Sequence, residues 1–141
     1  MKVIAILENT ISIGGGFSQS LNAIIQMDNI SKGEFEFTVL STNIDNLKVL
    51  EELNINCFHL RLKFLDKLFS WFLLTAIGSK VISKFKLITP FEKKIIAKDC
   101  NLIYFLSPSS TMSLFQSLNF IATVWDSSHR DSPEFDEVRC Y

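Results

Sequence analysis

Lys2-Val3-Ile4-Ala5-Ile6-Leu7 is apolar at every position after the lysine, and Glu8 ends the run. A short apolar run bounded by polar residues predicts a strand buried on both faces. It falls short of the roughly 7–15 apolar residues of a secretory signal. Nor does any other stretch reach the ~18 apolar residues of a membrane-spanning helix. Four further runs are short and bounded by polar or turn residues, several of them apolar at nearly every position: 35–40 (FEFTVL), 55–60 (INCFHL), 101–106 (NLIYFL) and 120–125 (FIATVW). The segments between them, about 16–27, 45–53, 62–86 and 90–98, read as helices. The last has a marked start: Thr89 as N-cap, Pro90 at the first helical position and Glu92 completing a capping box. Strand and helix in alternation predict a doubly wound, Rossmann-like parallel sheet of five or more strands with helices on both faces.

A chain of 141 residues suits one domain, read here as spanning 1–141. With 48% apolar residues and 13 Phe against 5 Gly and 3 Pro, it carries the material of a packed core and not of a disordered chain. The formal net charge of −1 argues against coating nucleic acid by bulk charge. That figure conceals an uneven distribution. Residues 61–98 hold nine basic and two acidic side chains, a net +7, while each flank carries −4. Cys57, Cys100 and Cys140 are far apart and form no CxxC pair, so neither a disulfide framework nor a zinc site is supported. Reduced thiols in the cytoplasm are the expectation. With two histidines, His59 and His129, the chain cannot build a His-rich metal site.

Two constellations stand out. Gly14-Gly15-Gly16-Phe17-Ser18 follows the first strand and opens a helix, where backbone N–H groups can meet a phosphate. A flexible turn explains the same glycines. The loop lacks the GxGxxG of a dinucleotide site, the GK[ST] of a P-loop and the second glycine of a nucleophile elbow. The second constellation is Trp125-Asp126-Ser127-Ser128-His129-Arg130-Asp131-Ser132-Pro133-Glu134-Phe135, leaving the fifth strand. In open α/β sheets ligands bind outside the carboxyl ends of the strands, which is where both constellations fall. An acidic, solvated loop with a structural tryptophan is the plainer account of the second.

Together KVIAIL, GGGFSQSL and WDSSHRDSPEFDEVR resemble the N-terminal half of a family 4 glycosyltransferase of the GT-B fold. The resemblance implies a retaining transfer of sugar from a sugar nucleotide to a glycan or lipid-linked acceptor, without a metal or other cofactor. It implies donor contacts from Gly14, Gly15, Gly16, Phe17 and Arg130, and catalytic roles for Asp126 and His129. Trp125 stands where many members carry a histidine. The family's second, donor-binding domain would then be absent, since the sequence stops at Tyr141 soon after the signature. A separate or downstream half would be the partner, and the chain would be inactive alone. The alternative is a non-catalytic α/β module that binds a protein or a membrane.

The stretch Leu68 to Ile77 is apolar on almost every helical face and lies inside the basic segment. Helix 62–86 could simply pack on the sheet with its lysines in water. The sharper expectation is peripheral contact with the inner face of the plasma membrane through Trp71, Phe72, Lys80, Lys84 and Lys86.

Overall fold

The computed structural model describes residues 1–75, 78, 80 and 88–124. Strands β1 (Lys2–Leu7), β2 (Glu36–Ser41), β3 (Cys57–His59), β4 (Leu102–Phe105) and β5 (Asn119–Ala122) form one parallel sheet in the order β3-β2-β1-β4-β5. Ala5 lies opposite Val39 on one side and Tyr104 on the other, so β1 is the central strand. Helices α1 (Gly15–Ser31), α2 (Asp45–Glu52), α3 (Phe64–Leu73) and α4 (Pro90–Ile96) connect the strands. Short 3-10 turns occupy Ile11–Ile13 and Ser110–Leu114. This is the doubly wound, Rossmann-like arrangement that the alternation of runs predicts.

Side-chain alternation along the strands sorts two cores. Val3, Ala5 and Leu7 of β1 join Phe37 and Val39 of β2 beneath Phe17 and Ile24 of α1 and Leu50 of α2. Ile4 and Ile6 point the other way, into a core with Leu73 of α3, Phe91 and Ile95 of α4, Phe105 and Phe115. Apolar residues at nearly every strand position are needed because both faces are covered. Phe115 sits edge-on to Phe91 and Phe105, with ring centroids 6.0 and 5.5 Å apart, which uses part of the phenylalanine surplus. Three helix-to-strand turns each contain a left-handed residue: Gly33 at φ 87°, Asn54 at φ 56° and Asp99 at φ 58°. Glycine, Asn and Asp tolerate that region best, so each helix stops and the chain turns back to the sheet.

Two local expectations change. Thr89 does cap α4, accepting a hydrogen bond from Glu92 N at 3.1 Å. The Glu92 carboxylate, however, accepts the N–H groups of Gln116, Ser117 and Leu118 at 2.7–3.1 Å and does not close a capping box. Three backbone donors on the approach to β5 outcompete one at the helix start. The helix expected over 62–86 is described as α3 from Phe64 to Leu73, and residues 81–87 lie outside the described residues.

Candidate functional site

Strands β1 and β4 are neighbours in the sheet although about 100 residues separate them, because the connections run outward from β1 in one direction and from β4 in the other. A crevice opens at such a reversal, outside the carboxyl ends of the strands. Here it is a cavity of about 450 Å³, within the size range of small-molecule sites. Glu8 after β1, Thr42 after β2 and Ser110 and Thr111 after β4 form its floor; Asp66, Lys67, Ser70 and Trp71 of α3 form a wall, with Leu62, Leu74 and Leu114 as apolar lining.

Glu8 is held from the far side of the sheet order. Ser109 Oγ donates to Glu8 Oε2 at 2.6 Å, and Thr111 Oγ1 donates to Glu8 Oε1. Ser109 also caps the following 3-10 turn by accepting from Thr111 N at 3.1 Å. Each carboxylate oxygen has two acceptor directions, so these bonds fix the rotamer and leave capacity for a ligand. Behind Glu8 the chain is anchored by Asn46, whose Nδ2 donates to Asn9 O at 2.9 Å and to Ser41 Oγ at 3.1 Å.

The α3 wall is tied down through its polar side. Ser70 Oγ donates to Ser110 O at 2.7 Å and lies 2.8 Å from Ser113 Oγ. Asp66 Oδ2 accepts from Lys63 N at 2.9 Å, which stabilises the helix start. The cleft therefore brings together two carboxylates, one ammonium and several hydroxyls, beside the Trp71 indole.

The glycine loop lies elsewhere. Gly14, at φ 68°, and Gly15 border open space, and neither they nor Gly16 line the cleft. Gly16 O accepts hydrogen bonds from Asn9 Nδ2 and Ser20 Oγ. Phe17 is buried in the core beneath α1. Trp125, Asp126, His129 and Arg130 lie outside the described residues, as do Lys84 and Lys86; Lys80 is described and exposed. Trp71 and Phe72 are exposed on α3. No helix among the described residues is long and apolar enough to cross a membrane.

Glu8, Ser109, Thr111, Asp66 and Ser70 are absent from the sequence-derived candidates. Two signals mark them. Ser107-Pro108-Ser109-Ser110-Thr111 is a hydroxyl-rich run leaving β4 at the edge where ligands bind. Asp66 and Ser70, spaced i and i+4, share one side of a helix whose other residues, Lys67 apart, are apolar.

No family model matches the chain, and no curated protein does. Among solved structures, a formyltetrahydrofolate deformylase from Pseudomonas putida KT2440 is similar at a TM-score of 0.40 and 14% identity, over 74% of this chain and 29% of that one. At that level the likeness brings neither activity nor substrate to this chain. The resemblance to a family 4 glycosyltransferase is corrected by these findings: no glycosyltransferase model matches, and the neighbour found belongs to a different family. Sugar transfer goes with it.

Proposed function

We propose that the chain binds a small molecule rich in hydrogen-bond donors, a neutral polyol or a primary amine, in the cleft between the carboxyl ends of β1 and β4. The observation that carries this reading is the Glu8 carboxylate, fixed by Ser109 and Thr111 and lining a cavity of about 450 Å³. An acceptor held in place before the ligand arrives loses little entropy on binding. Thr42 and Ser110 add hydroxyls that both donate and accept, Thr111, whose proton goes to Glu8, adds an acceptor, and Trp71 offers an apolar face to the carbon skeleton. Among the described residues of the lining, two carboxylates stand against one ammonium, that of Lys67, which disfavours phosphates and carboxylates. Free Cys57 and Cys100 favour a reducing compartment such as the cytoplasm.

A thermal-shift screen of polyols, primary amines and small organic anions tests the reading. Polyols or amines should raise the melting temperature. A screen in which the anions alone do so overturns it.

A further inference from the structure

Helix α3 is built inside out. At 100° per residue, Asp66, Ser70 and Leu73 share the side that faces the protein, and all three are buried. The opposite side carries Phe64, Leu68 and Trp71, at i, i+4 and i+7, together with Phe72. These are 78%, 50%, 68% and 40% exposed. A surface helix ordinarily turns its apolar stripe inward and its polar residues to water. Here Ser70 holds the helix to the 3-10 turn through Ser110, and Asp66 caps the helix's own start at the Lys63 N–H. Leu68, Phe69, Trp71 and Phe72 also enclose an apolar groove of about 350 Å³ on the outer surface. Contiguous apolar surface of this kind marks an interaction site.

Charge identifies what covers it. Arg61, Lys63 and Lys67 are exposed beside the apolar face. Across residues 61–98 there are nine basic side chains and only two acidic ones, and both acids are turned inward. Asp66 and Glu92 are buried and accept backbone N–H groups, so neither carboxylate stands on the outer face among the cations, and the segment stays net positive with both of them counted. Aromatic and aliphatic side chains bordered by Lys and Arg match the interface of an anionic bilayer. We propose that α3 docks peripherally on an anionic membrane surface, with Phe64, Leu68, Trp71 and Phe72 entering the headgroup region and Arg61, Lys63 and Lys67 meeting lipid phosphates. Trp71 and Lys67 border both the cleft and this outer face, but vesicle recovery needs no cleft ligand and the ligand screen needs no membrane, so either reading can fail without the other.

The test is co-sedimentation of the full chain with phosphatidylcholine vesicles and with vesicles containing one-third phosphatidylglycerol. Recovery should be at least tenfold higher on the anionic vesicles and should fall at high salt. Combining Lys63→Glu with Lys67→Glu should remove the anionic preference. Combining Trp71→Ser with Phe72→Ser should lower recovery at least tenfold with an unchanged melting temperature. In a Trp125→Phe chain, brominated lipid should quench Trp71 emission, which reports insertion without altering α3. Equal recovery on both vesicle types, or Trp71 emission untouched by brominated lipid, overturns the proposal. So does a stable dimer in solution that Trp71→Ser dissociates, because the face would then be an interface between copies.

Discussion

Ser109 Oγ donates to Glu8 Oε2 at 2.6 Å across 101 sequence positions, joining the ends of two adjacent parallel strands at the mouth of the cleft. The contact spans the point where the sheet order reverses, so it serves both packing and the site. Glu8→Ala removes the acceptor for two hydroxyls and should cost about 1–3 kcal/mol of stability. Glu8→Gln keeps one carbonyl oxygen and should cost less. Urea unfolding of the two variants measures the difference, and equal midpoints for wild type and Glu8→Ala would show that the contact carries no energy.

Glu92 plays a structural part that its position in the sequence conceals. Its buried carboxylate gathers three consecutive backbone N–H groups, from Gln116, Ser117 and Leu118, and so fixes the entry to β5. Glu92→Ala should destabilise by about 3 kcal/mol or more, since each hydrogen bond to a charged group is worth about 1.5–3 kcal/mol and unpaired donors remain. Hydrogen exchange should report early loss of protection at Phe120 and Ile121. Uniform protection loss across the sheet would argue instead that the variant unfolds globally.

Two large aromatic residues should behave oppositely. Phe91 is 1% exposed at the centre of the core under α4, and Phe91→Ala should cost about 3–5 kcal/mol. Trp71 is mostly exposed, so Trp71→Ala should shift stability by no more than about 0.5 kcal/mol. A large loss at Trp71 would mean that its side chain packs against protein in solution.

The fold was legible because buried parallel strands announce themselves. KVIAIL is apolar at every position after Lys2, and the structure covers both faces of β1. Element ends were less so: Glu92 reads as a cap by spacing, but its carboxylate is claimed by a loop 24–26 residues later. The cleft was hidden for the same reason. Glu8 reads as the residue that stops an apolar run, and only the pairing of β1 with β4 brings Ser109 and Thr111 to it. Glycines after a strand are a conspicuous signal, whereas a serine-threonine run in the same place is not. On α3 the composition was plain, but which side of the helix meets water depends on Ser70 finding Ser110.

Burial pushes the Cys57 and Cys100 thiols above the ordinary thiol range, and the neighbouring Glu51 carboxylate raises Cys57 further. The thiolate is the reactive form, so both should react slowly with alkylating reagents at neutral pH. The unfolded thiol ionises from about pH 8.5, while the folded thiol stays protonated to higher pH. Their contribution is intact below that value and is lost as pH rises through the raised folded pKa. Urea midpoints at neutral and alkaline pH should diverge for wild type and less for Cys100→Val. An identical alkaline loss in Cys100→Val would assign the effect to other groups.

The central claim is that the cleft at the β1–β4 reversal is a binding site organised by Glu8. Backbone amide NMR on the full chain, titrated with a mixed panel of polyols, primary amines and small organic anions, tests it most directly. A polyol or an amine should cause saturable shifts at Glu8, Thr42, Ser70, Ser110 and Thr111, weakened about tenfold by Glu8→Gln, equivalent to about 1.4 kcal/mol. Saturable shifts from the anions alone, shifts confined to residues away from these five, or an unchanged affinity in Glu8→Gln would contradict it.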